Sequence, residues 1–500
     1  MDFIANLTLG LQTALSFENL IYAAVGCFLG TLIGVLPGLG PLTTISMLLP
    51  FTFGLSPIGA LIMLAGIYYG AAYGGSTTAI LVNLPGEASS VVTTIDGHQM
   101  AKQGRAGSAL AAAAIGSFVA GTFGVLVLAV FSGPIAQIAF SFGPAEYFAL
   151  MFLGLIAAVS LTSGPLLKSL AMIVTGLLIG LVGMDVSSGV VRFAFGNVAL
   201  WDGVDFIVIS IGIFAFAEIV STLERHQTGE AQIAPIKSIM PTKDDIRRMT
   251  PSILRGSALG SFLGILPGAG VSLASFFAYS LEKKTSKYKH EFGHGAIEGV
   301  AGPESANNAA SQTSFIPTLT LGIPGSATMA LMLGAMVIHN IQPGPSVVTK
   351  NPDLFWGLIV SMWIGNLFLV ILNLPLIGMW VRLLRIPYSM LFPAILMFCC
   401  IGVYASSYSL FDVYMVAGFG TAGYVLSKLK CEPAPLLLGF VLGPMVEEYF
   451  RRALVLSKGD FSVFVSRPIS AVLLSLAIAM LVFAAMPKLR RTRKTVFADD

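Results

Sequence analysis

Residues 34–44 read GVLPGLGPLTT, and residues 264–270 read GILPGAG. Both phrases lie inside long apolar stretches, where an unbroken membrane helix is the default. A Pro-Gly pair fills such a helix poorly. Proline removes a backbone donor and clashes with the preceding turn, and glycine costs about 1 kcal/mol more than alanine. Aligning 30–40 with 260–270 gives identity at Gly30, Gly34, Leu36, Pro37, Gly38 and Gly40. A second phrase follows each: GGSTTAILVNLPGEASS at 74–90, and SFIPTLTLGIPGSATM at 314–329. Two matches in the same order and at similar spacing mark an internal duplication.

The 500 residues are 55% hydrophobic and only 11% charged, with a mean hydropathy of +0.85. A soluble domain carries about 25% charged residues, so this composition belongs in a lipid bilayer. Apolar stretches of roughly 20 residues recur along the chain, each long enough for a hydrocarbon core of about 30 Å. No charge-rich segment is large enough for a soluble domain, and a net charge of +3 gives no sign of a nucleic-acid partner. Cys27, Cys399, Cys400 and Cys431 have no metal-site spacing and read as packing residues. The start, MDFIANLTLG, lacks a basic n-region, which argues against a cleaved signal peptide.

Residues 1–101 contain no Lys or Arg. Three basic clusters follow, around 225–255, 283–289 and 488–494. The positive-inside rule places all three in the cytoplasm and the N-terminus outside. Yet only about 25 mostly apolar residues, 256–280, separate the first two clusters, and a single crossing would split them between the two sides. A re-entrant hairpin that turns at Pro267-Gly268 solves this. Non-helical backbone at that depth is tolerated only beside protein or a watery cavity, so the tip predicts a cavity.

The first hairpin, around Pro37-Gly38, starts from the opposite, Lys/Arg-free side. The expected architecture is therefore an all-α integral membrane protein built as an inverted-topology repeat. It has two re-entrant hairpins, broken helices and about 11 full crossings. Crossings are expected near 58–83, 108–131, 134–160, 166–184, 203–222, 303–338, 354–376, 388–405, 410–427, 433–447 and 468–486. Residues 1–222 form the first transmembrane repeat, 223–250 a cytoplasmic linker and 251–450 the second repeat. Residues 451–500 form a last helix and a basic cytoplasmic tail. The stretch 303–338 exceeds one straight crossing at 1.5 Å per residue, so it reads as a helix broken at Pro324-Gly325, like its counterpart at Pro85-Gly86. Pro343-Gly344 reads as an ordinary turn. The loop 447–467 would lie outside with Arg451, Arg452, Lys458 and Arg467, against the rule. Lying along the interface and pairing with Glu447 and Glu448 are both open accounts.

Inverted repeats with discontinuous helices are a design of secondary transporters. Each break exposes the N-terminus of the next half-helix, where free N–H groups and the positive dipole end suit a carboxylate. The candidate substrate-binding residues are Pro37, Gly38, Gly40, Thr43 and Thr44, then Ser76, Thr77, Pro85 and Gly86. In the second half they are Pro267, Gly268, Gly270, Ser272, Asn307, Asn308, Pro324, Gly325, Ser326 and Thr328. Ser89 and Ser90 follow a break as well. Lone membrane Ser and Thr commonly bond back to their own helix, which is the competing reading for each hydroxyl. Asn307 and Asn308 are open to substrate, cation or interhelical bonding. Glu87, Asp96, His98, Glu304 and His339 are rare ionisable groups near the breaks, with Asp96 and His98 expected in a cytoplasmic loop. The coupling ion is Na⁺ or H⁺. Na⁺ would sit at exposed carbonyls near Gly38 and Gly268, and no other cofactor is expected.

The phrases GVLPGLGPLTT…YYGAAYGGSTTAILVNLPGEASSVVTTIDGHQMAKQGRAG and GILPGAG…PESANNAASQTSFIPTLTLGIPGSATMALMLGAM, with EYFRRALVLSKGDFSVF near the C-terminus, carry a resemblance. Over essentially its whole length the chain resembles the large membrane subunit of the tripartite tricarboxylate transporters. That resemblance implies a small four-helix membrane subunit and a periplasmic solute-binding protein as partners. It implies inward movement of citrate or other carboxylates across a bacterial inner membrane, driven by an ion gradient. Members serve many carboxylates, so it does not fix the substrate. GGSTTA before the second break of the first half stands where the second half has SFIPTL, a difference that bears on pocket shape.

Other classes fit less well. A membrane enzyme built on YGGSTT and His98 has no evident third catalytic group. The membrane subunit of an ATP-driven importer does not account for four helix breaks, and the chain has no Walker phrase. The main alternative within transporters is a self-sufficient carboxylate/cation symporter without a binding protein.

Overall fold

The computed structural model describes every residue except 1–2, 162–164, 186–187, 226–238, 267–269, 385, 387 and 486–500. The chain is helical nearly throughout. Its strands among the described residues are the two-residue pair Gly183–Met184 and Val191–Arg192. Among the described residues, seven helices are long and apolar enough to cross a bilayer, and five shorter apolar helices accompany them. Their burial differs sharply. The Pro57–Val82 helix is 94% buried across its apolar window, whereas Met390–Ser407 and Leu410–Lys428 are 22% and 17% buried. The former is the core of the molecule and the latter two are its periphery.

The first hairpin follows from a glycine stripe. Gly26, Gly30 and Gly34 repeat every four residues along the Phe17–Gly34 helix, so they share one face. A Cβ added to them would come within 2.3, 2.3 and 2.5 Å of the backbone of Met63, Ile67 and Ala71. Only glycine permits so close an approach, the small-xxx-small contact of membrane helices. Both series rise together, so the Phe17–Gly34 and Pro57–Val82 helices run parallel. Consecutive parallel helices require the chain to come back between them. Pro41–Leu48 and the short turn Leu49–Thr52 make that return. Residues 17–52 are therefore a hairpin whose tip is the 35–40 break.

The second half repeats this arrangement. Gly256, Gly260 and Gly264 of the Lys243–Ile265 helix press on Gly302, Ala306 and Ala310 of the Glu298–Thr313 helix, with added Cβ atoms 2.4, 2.2 and 2.5 Å from their backbone oxygens. These helices are also parallel, and Gly270–Thr285 is the return. The Lys243–Ile265 arm begins with a capping box, Thr242 and Asp245 each bonding the other's backbone N–H. The tip residues Pro267 and Gly268 lie outside the described residues. The shift that carries Met63, Ile67 and Ala71 onto Gly302, Ala306 and Ala310 also carries Pro85-Gly86 onto Pro324-Gly325.

The two copies run in opposite directions. The Tyr68 and Tyr69 rings lie 6.4 and 6.3 Å from Phe315, while Ser76 hydrogen-bonds Glu304. Advancing along Pro57–Val82 thus means retreating along the second half. Each arm is parallel to its own companion helix, so the two hairpins enter from opposite ends.

Several expectations change. The crossings drawn at 108–131 and 134–160 are divided elsewhere. One helix runs Ala106–Ala139 straight through Pro134, and the next is Pro144–Leu161. A membrane helix tolerates an interior proline when neighbouring groups take up the freed carbonyl. The stretch 303–338 lies in three helical pieces, Glu298–Thr313, Phe315–Leu321 and Ala327–Ile338. The supposed loop after 447 is helical as far as Leu456. Its arginines are paired: Arg451 with Glu447 and Asp185, Arg452 with Glu448, and Arg467 with Glu146. Of the two accounts left open for it, ion pairing is the one seen. The cysteines are free, with Cys27 and Cys399 buried.

Candidate functional site

In the first half the two breaks meet. Asn83, in the left-handed region at φ 59°, ends the Pro57–Val82 helix, and the chain doubles back along it. Gly86 thereby lands on Gly75, three turns earlier: a Cβ on Gly86 would lie 2.6 Å from the Gly75 Cα. A Cβ on Gly40 would lie 2.5 Å from the Gly86 carbonyl oxygen, so the hairpin tip and the second break touch. Thr78 donates to the Val35 carbonyl at 2.8 Å, satisfying an orphan acceptor at the end of the arm. In the second half Gly322, at φ +71°, ends Phe315–Leu321, and Gly325 comes to rest near Ser314 and the Gly264 carbonyl. These partners are the repeat equivalents of Gly75 and Gly34.

The expected residues are not one continuous cluster. Gly38, at φ +82°, faces Thr222 and Glu218, on a helix of its own half. Gly270, at φ +65°, borders open space. Ser326 caps its half-helix as expected, accepting from the Met329 N–H at 3.2 Å. Thr44 bonds back to the Gly40 carbonyl, Thr77 to Tyr73, and Thr43 reaches the Phe214 carbonyl. Ser272 and Thr328 are half-buried in the first turns after their breaks. Ser76, Asn307 and Asn308 do converge, on groups that spacing alone did not select.

That convergence is built on the Glu298–Thr313 helix. It is buried from end to end, yet it carries Glu304, Ser305, Asn307, Asn308, Ser311, Gln312 and Thr313. Glu304 accepts from the Ser76 hydroxyl at 2.7 Å and from the Thr93 hydroxyl, both in the first half. Asn307 donates its amide to Glu87 Oε1 at 3.2 Å, and Ser89 donates to the same carboxylate. Asn308 donates to Ser117 Oγ at 2.6 Å and to the Glu304 carbonyl at 3.1 Å. The halves are thus joined by polar side chains at mid-molecule. Among the described residues, no Lys, Arg or His forms an ion pair with Glu87 or Glu304. Asn307 Oδ1, Gln312 Oε1 and the Tyr69 hydroxyl are buried without a hydrogen-bond partner. Buried polar groups are normally satisfied by protein or ordered water, and these three have no partner within the described protein.

One end of this core is locked. Asp96 is fully buried and accepts the N–H groups of Gly293, Gly295 and Ala296 at 2.8–3.0 Å, with the Tyr279 hydroxyl at 2.9 Å. Arg255 grips Glu282 with two hydrogen bonds, and Arg248 bridges Glu291 and Glu298. Asp96 and His98 therefore do not lie in a loop. They sit on the Val91–Met100 helix, where His98 Nδ1 meets the Ile80 carbonyl. A lone Asp in an apolar run and the glycine-rich FGHGAIEG were the sequence signals of this clamp, but nothing local linked them.

The hairpin tip where a cavity was anticipated, Pro267-Gly268, lies outside the described residues, and a small space opens beside Ser76. The space beside Tyr73, Ser76, Thr77, Ser117 and Asn373 measures about 10 Å³, on the scale of one water. A larger cavity of about 720 Å³ lies elsewhere, lined by Asp185, Arg192, Glu447, Glu448, Arg451 and Arg452. Its arginines are all held by those carboxylates.

The profile of the tripartite tricarboxylate transporter TctA family matches residues 20–438. An "uncharacterized 52.8 kDa protein in TAR-I ttuC' 3'region" of Agrobacterium vitis is 56% identical over 500 residues, covering the whole of both chains. An "uncharacterized protein in TAR-II ttuC' 3'region" of the same organism is 61% identical over 241 residues, 48% of this chain and all of that one. No solved structure matches. Together with the apolar helices, these likenesses identify a multi-pass membrane protein: the chain is a transporter subunit belonging to the tripartite tricarboxylate transporter TctA family.

Proposed function

We propose that this chain is the large membrane subunit of a cation-gradient-driven, binding-protein-dependent importer of tricarboxylates or other organic carboxylates. The observation that carries the reading is the fully buried, polar Glu298–Thr313 helix of the second half, whose side chains meet those of the oppositely directed first half, where two helix breaks touch. Half-helices Pro41–Leu48, Val91–Met100 and Ala327–Ile338 begin at helix breaks. Their free N–H groups suit carboxylate oxygens. Parting the halves would open the small space beside Ser76 and bring Thr43, Thr44, Ser326 and Thr328 to a ligand. The assembly then comprises this chain, a small four-helix membrane subunit and a periplasmic solute-binding protein. It sits in a bacterial inner membrane with the N-terminus periplasmic and the C-terminus cytoplasmic.

The test is uptake by the chain reconstituted with both partners, using radiolabelled acetate, succinate and citrate under separate Na⁺ and pH gradients. Accumulation of a carboxylate that needs a gradient and the binding protein supports the proposal. Accumulation with ATP alone refutes it. Undiminished uptake without the binding protein replaces it by a self-sufficient carboxylate/cation symporter.

A further inference from the structure

Counting hydrogens at the centre of the molecule exposes a shortfall. Glu304 is 1% exposed and has both carboxylate oxygens against hydroxyls, Ser76 on one side and Thr93 on the other. Ser76 has one hydroxyl hydrogen but two acceptors in range, Glu304 Oε2 at 2.7 Å and the Ala72 carbonyl at 3.1 Å. Beside them Asn307, 1% exposed, gives its amide to Glu87 and leaves its own Oδ1 with nothing to accept. Acceptors therefore outnumber hydrogens. A charged, fully buried Glu304 beside the half-buried Glu87 carboxylate, with no cation paired to either among the described residues, would be costly, because burial disfavours the charged form and each carboxylate disfavours the other.

The surrounding charges offer no relief. On the helices packed against Glu298–Thr313, Arg255 is committed to Glu282, and Arg248 to Glu291 and Glu298. Asp96 is held by backbone N–H groups and Tyr279, and His98 by the Ile80 carbonyl. Pro57–Val82 contributes Tyr68, Tyr69 and Tyr73, and the first break contributes Glu87. Ala106–Ala139 contains no ionisable side chain.

We infer that Glu304 carries a proton in this closed state and that this is the proton coupled to transport. The inference rests on the carrier function proposed above and assigns its coupling ion to a residue. A protonated Glu304 fits the contacts of its own two oxygens without moving a heavy atom. Ser76 turns its hydrogen to the Ala72 carbonyl, its oxygen accepts from the Glu304 hydroxyl, and Thr93 still donates to the other oxygen. Glu304 belongs to the second half while Ser76 and Thr93 belong to the first. Parting the halves strips both hydroxyls from the carboxyl and lets water reach it, so proton release follows opening. The small space lined by Ser76, Thr77 and Ser117 places a water-sized path beside it.

Two measurements on the full chain test this. In the infrared spectrum at pH 7, the wild type shows the C=O band of a buried carboxylic acid. Glu304→Gln loses the band, and Glu87→Gln keeps it. A wild-type spectrum without the band, or a band that survives Glu304→Gln, overturns the assignment. In proteoliposomes containing both partners, labelled citrate, succinate and acetate are supplied under a pH gradient or a Na⁺ gradient. The wild type concentrates substrate at least tenfold under the pH gradient, whereas Glu304→Gln only lets it equilibrate. A variant that still concentrates substrate, or a wild type driven by Na⁺ and indifferent to pH, defeats the proton assignment while leaving the carrier intact. A wild type that moves no carboxylate under either gradient defeats the carrier reading, and the coupling role goes with it.

Discussion

Gly86 and Gly325 occupy equivalent positions in the two halves, yet alanine there should have opposite consequences. Neither has a positive φ, so alanine's own backbone preference is not at issue. At Gly86 the new methyl would sit 2.6 Å from the Gly75 Cα. Reaching an ordinary 3.4 Å contact needs about 0.8 Å of separation between two backbones. The break cannot simply retreat, because Gly40 already presses on the Gly86 carbonyl from the hairpin tip. Overpacking of this kind typically costs about 1–3 kcal/mol. Every ~1.4 kcal/mol that falls on the transporting state is a tenfold loss in rate. At Gly325 the nearest neighbours of the same methyl are the Ser314 Cβ at 3.8 Å and the Gly264 carbonyl at 3.9 Å, which is comfortable packing. Uptake by cells expressing each variant, normalised to the amount of chain in the membrane, reads the difference. Gly86→Ala should lose roughly tenfold or more, and Gly325→Ala should stay within about twofold of wild type. Equal tolerance at both positions, or the reverse order, would refute the packing argument for the first break.

Further expectations concern the ends of the molecule. Asp96→Ala leaves three buried N–H groups without an acceptor, at about 1–3 kcal/mol each. It should lower the thermal unfolding temperature in detergent far more than Asp96→Asn, which keeps one carbonyl oxygen for them; equal effects would show that the clamp does not depend on that acceptor. Cysteines introduced at the exposed positions Arg247 and Lys284 should react with a membrane-impermeant reagent from the same side, because the second hairpin returns to its starting end. Labelling from opposite sides would remove that hairpin. Arg467→Ala strands the buried Glu146 carboxylate, which keeps only the Gly143 N–H. It should cost about 1–3 kcal/mol, discounted from a fully buried pair because Arg467 is half-exposed. Adding Glu146→Gln should restore part of the loss, and an additive double mutant would deny the coupling.

The breaks were legible because a Pro-Gly pair fills a membrane helix poorly, losing a backbone donor and adding a flexible residue at one point. The second hairpin followed because the charge rule forbids a single crossing between two basic clusters, and the first followed from the duplicated phrase. The helix register was also within reach: Gly26, Gly30 and Gly34, like Gly256, Gly260 and Gly264, form a four-residue stripe that marks a close contact. Which residues meet across the halves was not legible. Ser76 and Glu304 lie 228 residues apart, and Thr93 and Glu304 lie 211 apart. Nothing in either neighbourhood names the other. The first half's breaks meet each other because doubling back places Gly86 on Gly75, a loop path that propensity does not encode. The boundary expected between 131 and 134 is absent, because the helix continues through Pro134 to Ala139.

The duplication is also unequal in a way that bears on how such a molecule works. The return helix joins its companion through residues 53–56 in the first half and through residues 286–297 in the second. The longer connection supplies Gly293, Gly295 and Ala296, the three groups that Asp96 binds. By the repeat alignment the counterpart of Asp96 is Ala335, which has no polar side chain to offer. The clamp therefore exists at one end only. A two-fold molecule with identical halves would open equally well to either side, and its two states would differ only in what the membrane faces supply. Here opening the Asp96 end must break a buried, charge-assisted set of hydrogen bonds that the other end lacks. Hydrogen bonds to a charged group are worth about 1.5–3 kcal/mol each. The closed arrangement at the Asp96 end is thus favoured by the chain itself before any substrate or ion binds. What opens it must interact better with the open state than with the closed one by at least that margin.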